Sequence, residues 1–117
     1  MNKFVSAALG LAMAASFATA ASAAQKSVTG TLEDSFCYVS MGAHGPSHKK
    51  CAMGCAKKGI PVALVEKGTD KIYILLPPKN DTALGSNVVG RMEDEVTVTG
   101  DAYEKGGVQY LTVQSVK

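Results

Sequence analysis

All three cysteines and both histidines of the 117-residue chain fall between residues 37 and 55. They are Cys37, His44, His48, Cys51 and Cys55. Thiolate sulfur and imidazole nitrogen hold zinc, copper and related ions. Their gathering in one short stretch of an otherwise cysteine-free chain is therefore the main chemical signal in the sequence.

The spacing adds geometry. Gly45-Pro46 breaks the chain, Ser47 is a good N-cap residue, and residues 48–58 read as a helix that Gly59 and Pro61 end. On that helix His48, Cys51 and Cys55 stand at i, i+3 and i+7, within an arc of about 60°. One stripe then carries all three, and Cys37 approaches it from just beyond the preceding strand. Cys37, His48, Cys51 and Cys55 form a three-sulfur, one-nitrogen set that suits a tetrahedral ion, one per chain. His44 lacks this register and is a reserve ligand or a plain loop residue. Lys49, Lys50, Lys57 and Lys58 fall elsewhere on the helix, solvated, where their charge can lower neighbouring thiol pKa values.

The same cysteines have a second reading. In an oxidising compartment Cys37 paired with Cys51 or Cys55 would form a disulfide stapling the helix to the rest of the domain, leaving an odd thiol. Cys51 and Cys55 make poor partners for each other, because helical i,i+4 side chains diverge. A closed Cys3His set favours zinc. Thiolates also favour copper(I), for which Met41 and Met53 are close enough to offer thioether sulfur. Packing is the ordinary use of both methionines.

Other chemistries find no motif. There is no H-E-x-x-H, G-x-S-x-G, P-loop or dinucleotide fingerprint. No C-x-x-C supports a thioredoxin-like exchange, no C-x-x-C-H a covalent haem, and the spacing fits no standard iron–sulfur run. Glu93, Asp94 and Glu95 read as a solvated turn rather than a catalytic dyad. Tyr73, Tyr103 and Tyr110 fall on or near strands. They could offer a stacking face for a ligand, although scattered barrel tyrosines usually do not.

The elements that must position the cluster are mostly strands. Alternating apolar patterns mark residues 27–33, 60–65, 71–76, 95–100 and 108–116. Gly30 allows a bend in the first, residues 66–70 suit a hairpin connection, and Pro77-Pro78 stop the third. Residues 80–89 suggest a short irregular helix, capped by Asn80 or Asp81 and ended by Gly90. Residues 101–107 read as a turn. Five short strands with one site-bearing helix suggest a mainly β domain, a small five-stranded OB-like barrel that leaves no exposed sheet edge. An open antiparallel sheet with one helix packed on it is the alternative.

The N-terminus points to export. Met1-Asn2-Lys3 is followed by an apolar run over residues 4–17 and by Ala21-Ser22-Ala23, a pattern cut before Ala24 or, one residue later, before Gln25. A spanning helix needs about 20 strongly apolar residues, and this run is shorter. Residues 1–23 are thus expected to be a cleaved secretory signal. The remainder, 24–117, is a single small domain in the periplasm or outside the cell. No cysteine marks a lipid anchor, and no membrane anchor is expected after cleavage. Twelve basic residues against ten acidic ones become nearly balanced once Lys3 is removed, so charge gives no case for nucleic acid.

The chain also resembles a set of small exported bacterial proteins of unassigned function. The likeness rests on Gly30 with Asp34, Cys37-Tyr38, the run His48-Lys-Lys-Cys51-Ala52-Met-Gly-Cys55, and Gly59-Ile-Pro61. It extends to Val96-Thr-Val98-Thr-Gly100 and Leu111-Thr-Val113, and so covers most of the expected mature chain. The resemblance implies an OB-like barrel with a Cys/His insertion over residues 37–58. The sequence reading is then a metal-binding protein, with the ion and a periplasmic protein as its partners. Thiol-disulfide redox chemistry and a disulfide-stapled ligand-binding barrel are the alternatives.

Overall fold

The computed structural model describes residues 23–117; the expected secretory signal lies outside the described residues except for Ala23. Strand β1 (Ala24–Asp34) leads directly into helix α1 (Ser35–Met41), a 3-10 turn (Pro46–His48) and helix α2 (Lys49–Lys57). Strands β2 (Val62–Glu66) and β3 (Ile72–Leu76) follow, then the short helix α3 (Ser86–Val89). Strands β4 (Glu95–Lys105), β5 (Val108–Thr112) and β6 (Ser115–Val116) complete the chain.

The strands pair in the order β1-β2-β3-β5-β4-β6, and β1 also pairs with β4, which closes the first five into a barrel. Among the described residues only β3 and β5 run parallel. The molecule is thus a mainly β, OB-like barrel with one additional strand, and the open sheet is excluded. Closure depends on β1 serving two neighbours. It pairs with β4 over Ala24–Thr31 and with β2 over Gly30–Asp34, so the change of partner falls at Gly30.

Alternation along the strands fills the interior. Val28 and Leu32, Val62 and Leu64, Tyr73 and Leu75, Val96 and Val98, and Leu111 all point inward and are buried. Ala52 of α2, Val88 of α3 and Met92 seal the end of this core. On α2, Ala52 and Ala56 (i, i+4) face the barrel with Met53 beside them, which leaves the His48–Cys51–Cys55 stripe on the neighbouring face.

Several expected boundaries shift for local reasons. The final strand, expected unbroken over 108–116, divides at Val113-Gln114. There the Val113 N–H bonds the Leu76 carbonyl (2.9 Å) and the Gln114 N–H bonds the Thr99 carbonyl (2.9 Å), carrying the chain across the barrel end to β4. The turn expected over 101–107 shrinks to Gly106-Gly107, both at positive φ (60° and 81°), as a tight two-residue hairpin requires. Helix α3 begins after Gly85, not at Asn80 or Asp81, and Asp81 itself adopts φ 60°. Ser47 lies inside the 3-10 turn, and α2 starts with no side-chain cap. Helix α1 has no counterpart among the expected elements.

Tyr73 is a core residue whose hydroxyl accepts a 2.7 Å hydrogen bond from Lys26 Nζ, whereas Tyr103 and Tyr110 face each other across β4 and β5. The three therefore do not share a stacking face.

Two glycines stand where strands cross most closely. A Cβ on Gly30 would collide with the Val65 carbonyl, and one on Gly100 with the Thr112 carbonyl. Gly100→Ala is expected to destabilise the barrel at the upper end of the about 1–3 kcal/mol typical of overpacking. A lowered urea midpoint with an unchanged m-value would register it. An unchanged midpoint would show that the β4–β5 approach relaxes freely.

Candidate metal centre

Asp34, the last residue of β1, builds the site. Its Oδ1 accepts hydrogen bonds from the backbone N–H groups of Phe36 (2.9 Å) and Cys37 (3.3 Å), which caps α1. The cap turns the chain sharply, so Cys37 points back over the barrel end and is buried. Gly42, at φ 66°, ends the helix, and its N–H returns to the Cys37 and Tyr38 carbonyls.

From this corner three ligand types meet. One ligand atom each from Asp34, Cys37 and His48 lie within 4.8 Å of one another. Zinc bonds of about 2.0–2.3 Å place neighbouring ligands somewhat under 4 Å apart, so a modest contraction would close this trio around an ion. Two atoms of the trio, Asp34 Oδ2 and His48 Nε2, are buried with no hydrogen-bond partner. Groups of this kind normally carry a partner, because leaving one bare costs about 1–3 kcal/mol. The chemistry of the donors fits a metal.

Cys55 and Cys51 complete the surroundings. The Cys55 thiol interacts with the Asp34 carboxyl and with the Cys37 and Cys51 thiols, and Cys51 also acts electrostatically on Cys37. Of the four residues expected from the sequence, Cys37 and His48 meet, with Asp34 as an added donor, while Cys51 and Cys55 lie outside that trio. All three cysteines are free thiols in this structure. The signal for Asp34 was an acidic residue three positions before Cys37 at a strand end, where a capping role and a ligand role coincide.

The electrostatics differ from those expected of a lysine-rich helix. Burial, then the hydrogen bond and charge of Asp34, push the Cys37 thiol above its ordinary pKa. Cys55 is pushed up to about 12, first by its hydrogen bond to Asp34 and then by burial. Burial works to raise Asp34 as well, but the Cys55 and Cys37 thiols and the two backbone N–H groups outweigh it and leave the carboxyl below its usual range. Without an ion, the site holds one carboxylate charge shared among protonated thiols. Lys49, expected to be solvated, is tied to Asp94 (2.7 Å).

The reserve residues lie elsewhere. His44 borders a cavity of about 420 Å³ with Glu33, Tyr38 and Glu66, apart from the trio. Met41 ends α1 with its side chain exposed, contrary to a packing role, while Met53 packs against the core.

The acidic segment expected as a solvated turn is instead a clip. The Glu93 N–H bonds the Leu32 carbonyl (2.7 Å) and the Leu32 N–H bonds the Asp94 carbonyl (3.2 Å), which fixes the end of β1 just before Asp34. Glu93 Oε2 accepts from the Gly45 N–H (2.8 Å), and the Gly45 carbonyl accepts from the His48 N–H (2.9 Å). One turn therefore sets the positions of Asp34 and His48 together. Beneath it, burial and the adjoining Glu93 raise the Glu33 carboxyl to about 8, so at neutral pH Glu33 keeps a proton for Glu93.

Comparison with protein-family models, with curated proteins and with solved structures finds no match.

The raised carboxyl has a measurable consequence. Between its ordinary value of 4.5 and about 8 the folded state binds more protons than the unfolded state, so stability declines as pH rises through that range. Chemical denaturation of metal-stripped protein at pH 5, 7 and 9 should show this decline, and Glu33→Gln should flatten it. An equal decline in the variant would assign it to other groups.

Proposed function

We propose that this is an exported metal-binding protein that holds one soft or borderline ion in a site made by Cys37, His48, Cys51 and Cys55 with the Asp34 carboxylate. The observation that carries the reading is the pair of buried, unpartnered donors, Asp34 Oδ2 and His48 Nε2, beside the Cys37 thiol. The large majority of buried polar groups carry a partner, and an ion would supply one to both of these donors. Imidazole, thiolate and carboxylate are each established zinc donors, whereas a carboxylate is a poor partner for copper(I). Asp34 therefore favours zinc over copper(I). The N-terminal signal, the resemblance to small exported proteins and the clustering of the cysteines agree with a role in the periplasm or outside the cell.

The contact between the Cys37 and Cys55 thiols supports a second reading, in which these two form a disulfide under oxidising conditions and Cys51 remains free. Substitution of His48 separates the two. The metal reading predicts about one ion per chain in mature protein isolated from its own compartment, with thiols that react only after chelation. It predicts that His48→Ala weakens zinc binding by more than the about 10–100-fold lost with an outer supporting group. Protein without metal, carrying one disulfide that survives His48→Ala, would overturn it in favour of the disulfide.

A further inference from the structure

The donors are graded in their access to solvent. Asp34 is 1% exposed and Cys37 7%, His48 and Cys55 are partly covered, and Cys51 is exposed. The enclosure is therefore open on one side, and one thiol stands at the opening.

The barrel core is built from residues other than the donors. The barrel core takes only Ala52 from the buried residues of the site helices, and none of the five donors belongs to it. Helix α1 is held by the Asp34 cap, the Gly42 end and the Ser35 N–H bond to the Pro61 carbonyl (3.2 Å). Structural zinc sites behave otherwise, since their ion supplies much of the folding free energy. Asp34, Cys37 and His48 supply three donors within 4.8 Å of one another, which leaves the fourth position of a tetrahedral ion to a thiol of α2. A ligand at that position can be exchanged while the other three hold the ion.

We propose, on the premise of the metal-binding reading above, that the ion is exchangeable cargo and passes through Cys51 to and from a thiol-bearing acceptor. In the transfer step an incoming thiol loses its proton and its sulfur bonds the ion. The bond between the ion and Cys51 Sγ breaks, and Cys51 takes up a proton. No electrons move and the oxidation state of the metal is unchanged. Asp34, Cys37 and His48 hold the ion through this first substitution, and further acceptor donors then displace these three in turn, so the ion is not released free. Lys50, adjacent in sequence and exposed, favours the approach of an anionic sulfur.

The test uses the mature protein loaded with one zinc ion, glutathione as the thiol and a chromogenic chelator as the final sink, followed by stopped flow. The wild-type transfer rate should rise in proportion to glutathione concentration. Cys51→Ser, loaded with excess zinc to offset the lost ligand and checked by circular dichroism, should lose about tenfold or more of the thiol-dependent rate. Cys37→Ser should instead weaken equilibrium affinity without removing the thiol dependence. A wild-type rate indifferent to glutathione, which needs no variant to observe, would defeat the exchange route. So would a Cys51→Ser rate equal to that of wild type. Wild-type protein that binds no zinc at all would defeat the metal-binding reading, and the exchange route with it.

Discussion

A buried carboxylate at the end of β1 organises the rest of the site. Asp34 is 1% exposed, and burying a charge is costly unless hydrogen bonds or partners meet it. Two backbone N–H groups of α1 meet half of that demand, which is why a helix starts there. The other oxygen, Oδ2, has no hydrogen-bond partner and faces the thiols of Cys55 and Cys37. The same charge that stabilises the helix start keeps those thiols protonated. A cation entering the site would reverse this balance, because it satisfies the carboxylate and favours thiolate together.

The acidic turn on the far side has a supporting function. Through Leu32 and Gly45 it ties the strand carrying Asp34 to the 3-10 turn carrying His48. The Lys49–Asp94 ion pair adds a third attachment at the start of α2. That pair is partly exposed, so its worth as stability is small. Its geometric effect is to keep the histidine arm in register with the strand. The site thereby draws precision from a segment that contributes no ligand.

Much of this was legible in the sequence, and the reasons are uneven. Strand alternation such as Val96-Thr-Val98-Thr-Gly100 reports burial directly, because the period of the pattern is that of the pleat. The i, i+3, i+7 register of His48, Cys51 and Cys55 is likewise a property of any helix. Helix α1 was not legible. Ser35-Phe-Cys-Tyr-Val-Ser-Met41 is rich in aromatic, β-branched and hydroxyl residues of modest helix propensity. It becomes helical because Asp34 caps it and the barrel end supports it. Glu93 escaped for a similar reason. Its hydrogen-bonding partners lie distant in sequence, and nothing in a local acidic run distinguishes a clip from a solvated turn.

The closure of the barrel through β1 and β4 bears on the order in which the site comes into being. Ala24 pairs with Ala102 and Thr31 with Glu95, so the first strand finds this partner only when the last third of the chain is present. In a chain delivered N-terminus first, every candidate ligand emerges before the strand and turn that hold Asp34 and His48 in place. Contacts of such large sequence separation form late. Until then Cys55 is not held beside the Asp34 carboxylate that raises its thiol in the finished domain. The nascent chain is therefore the form most open to adventitious oxidation or to capture by stray metal, and completion of the barrel ends that interval.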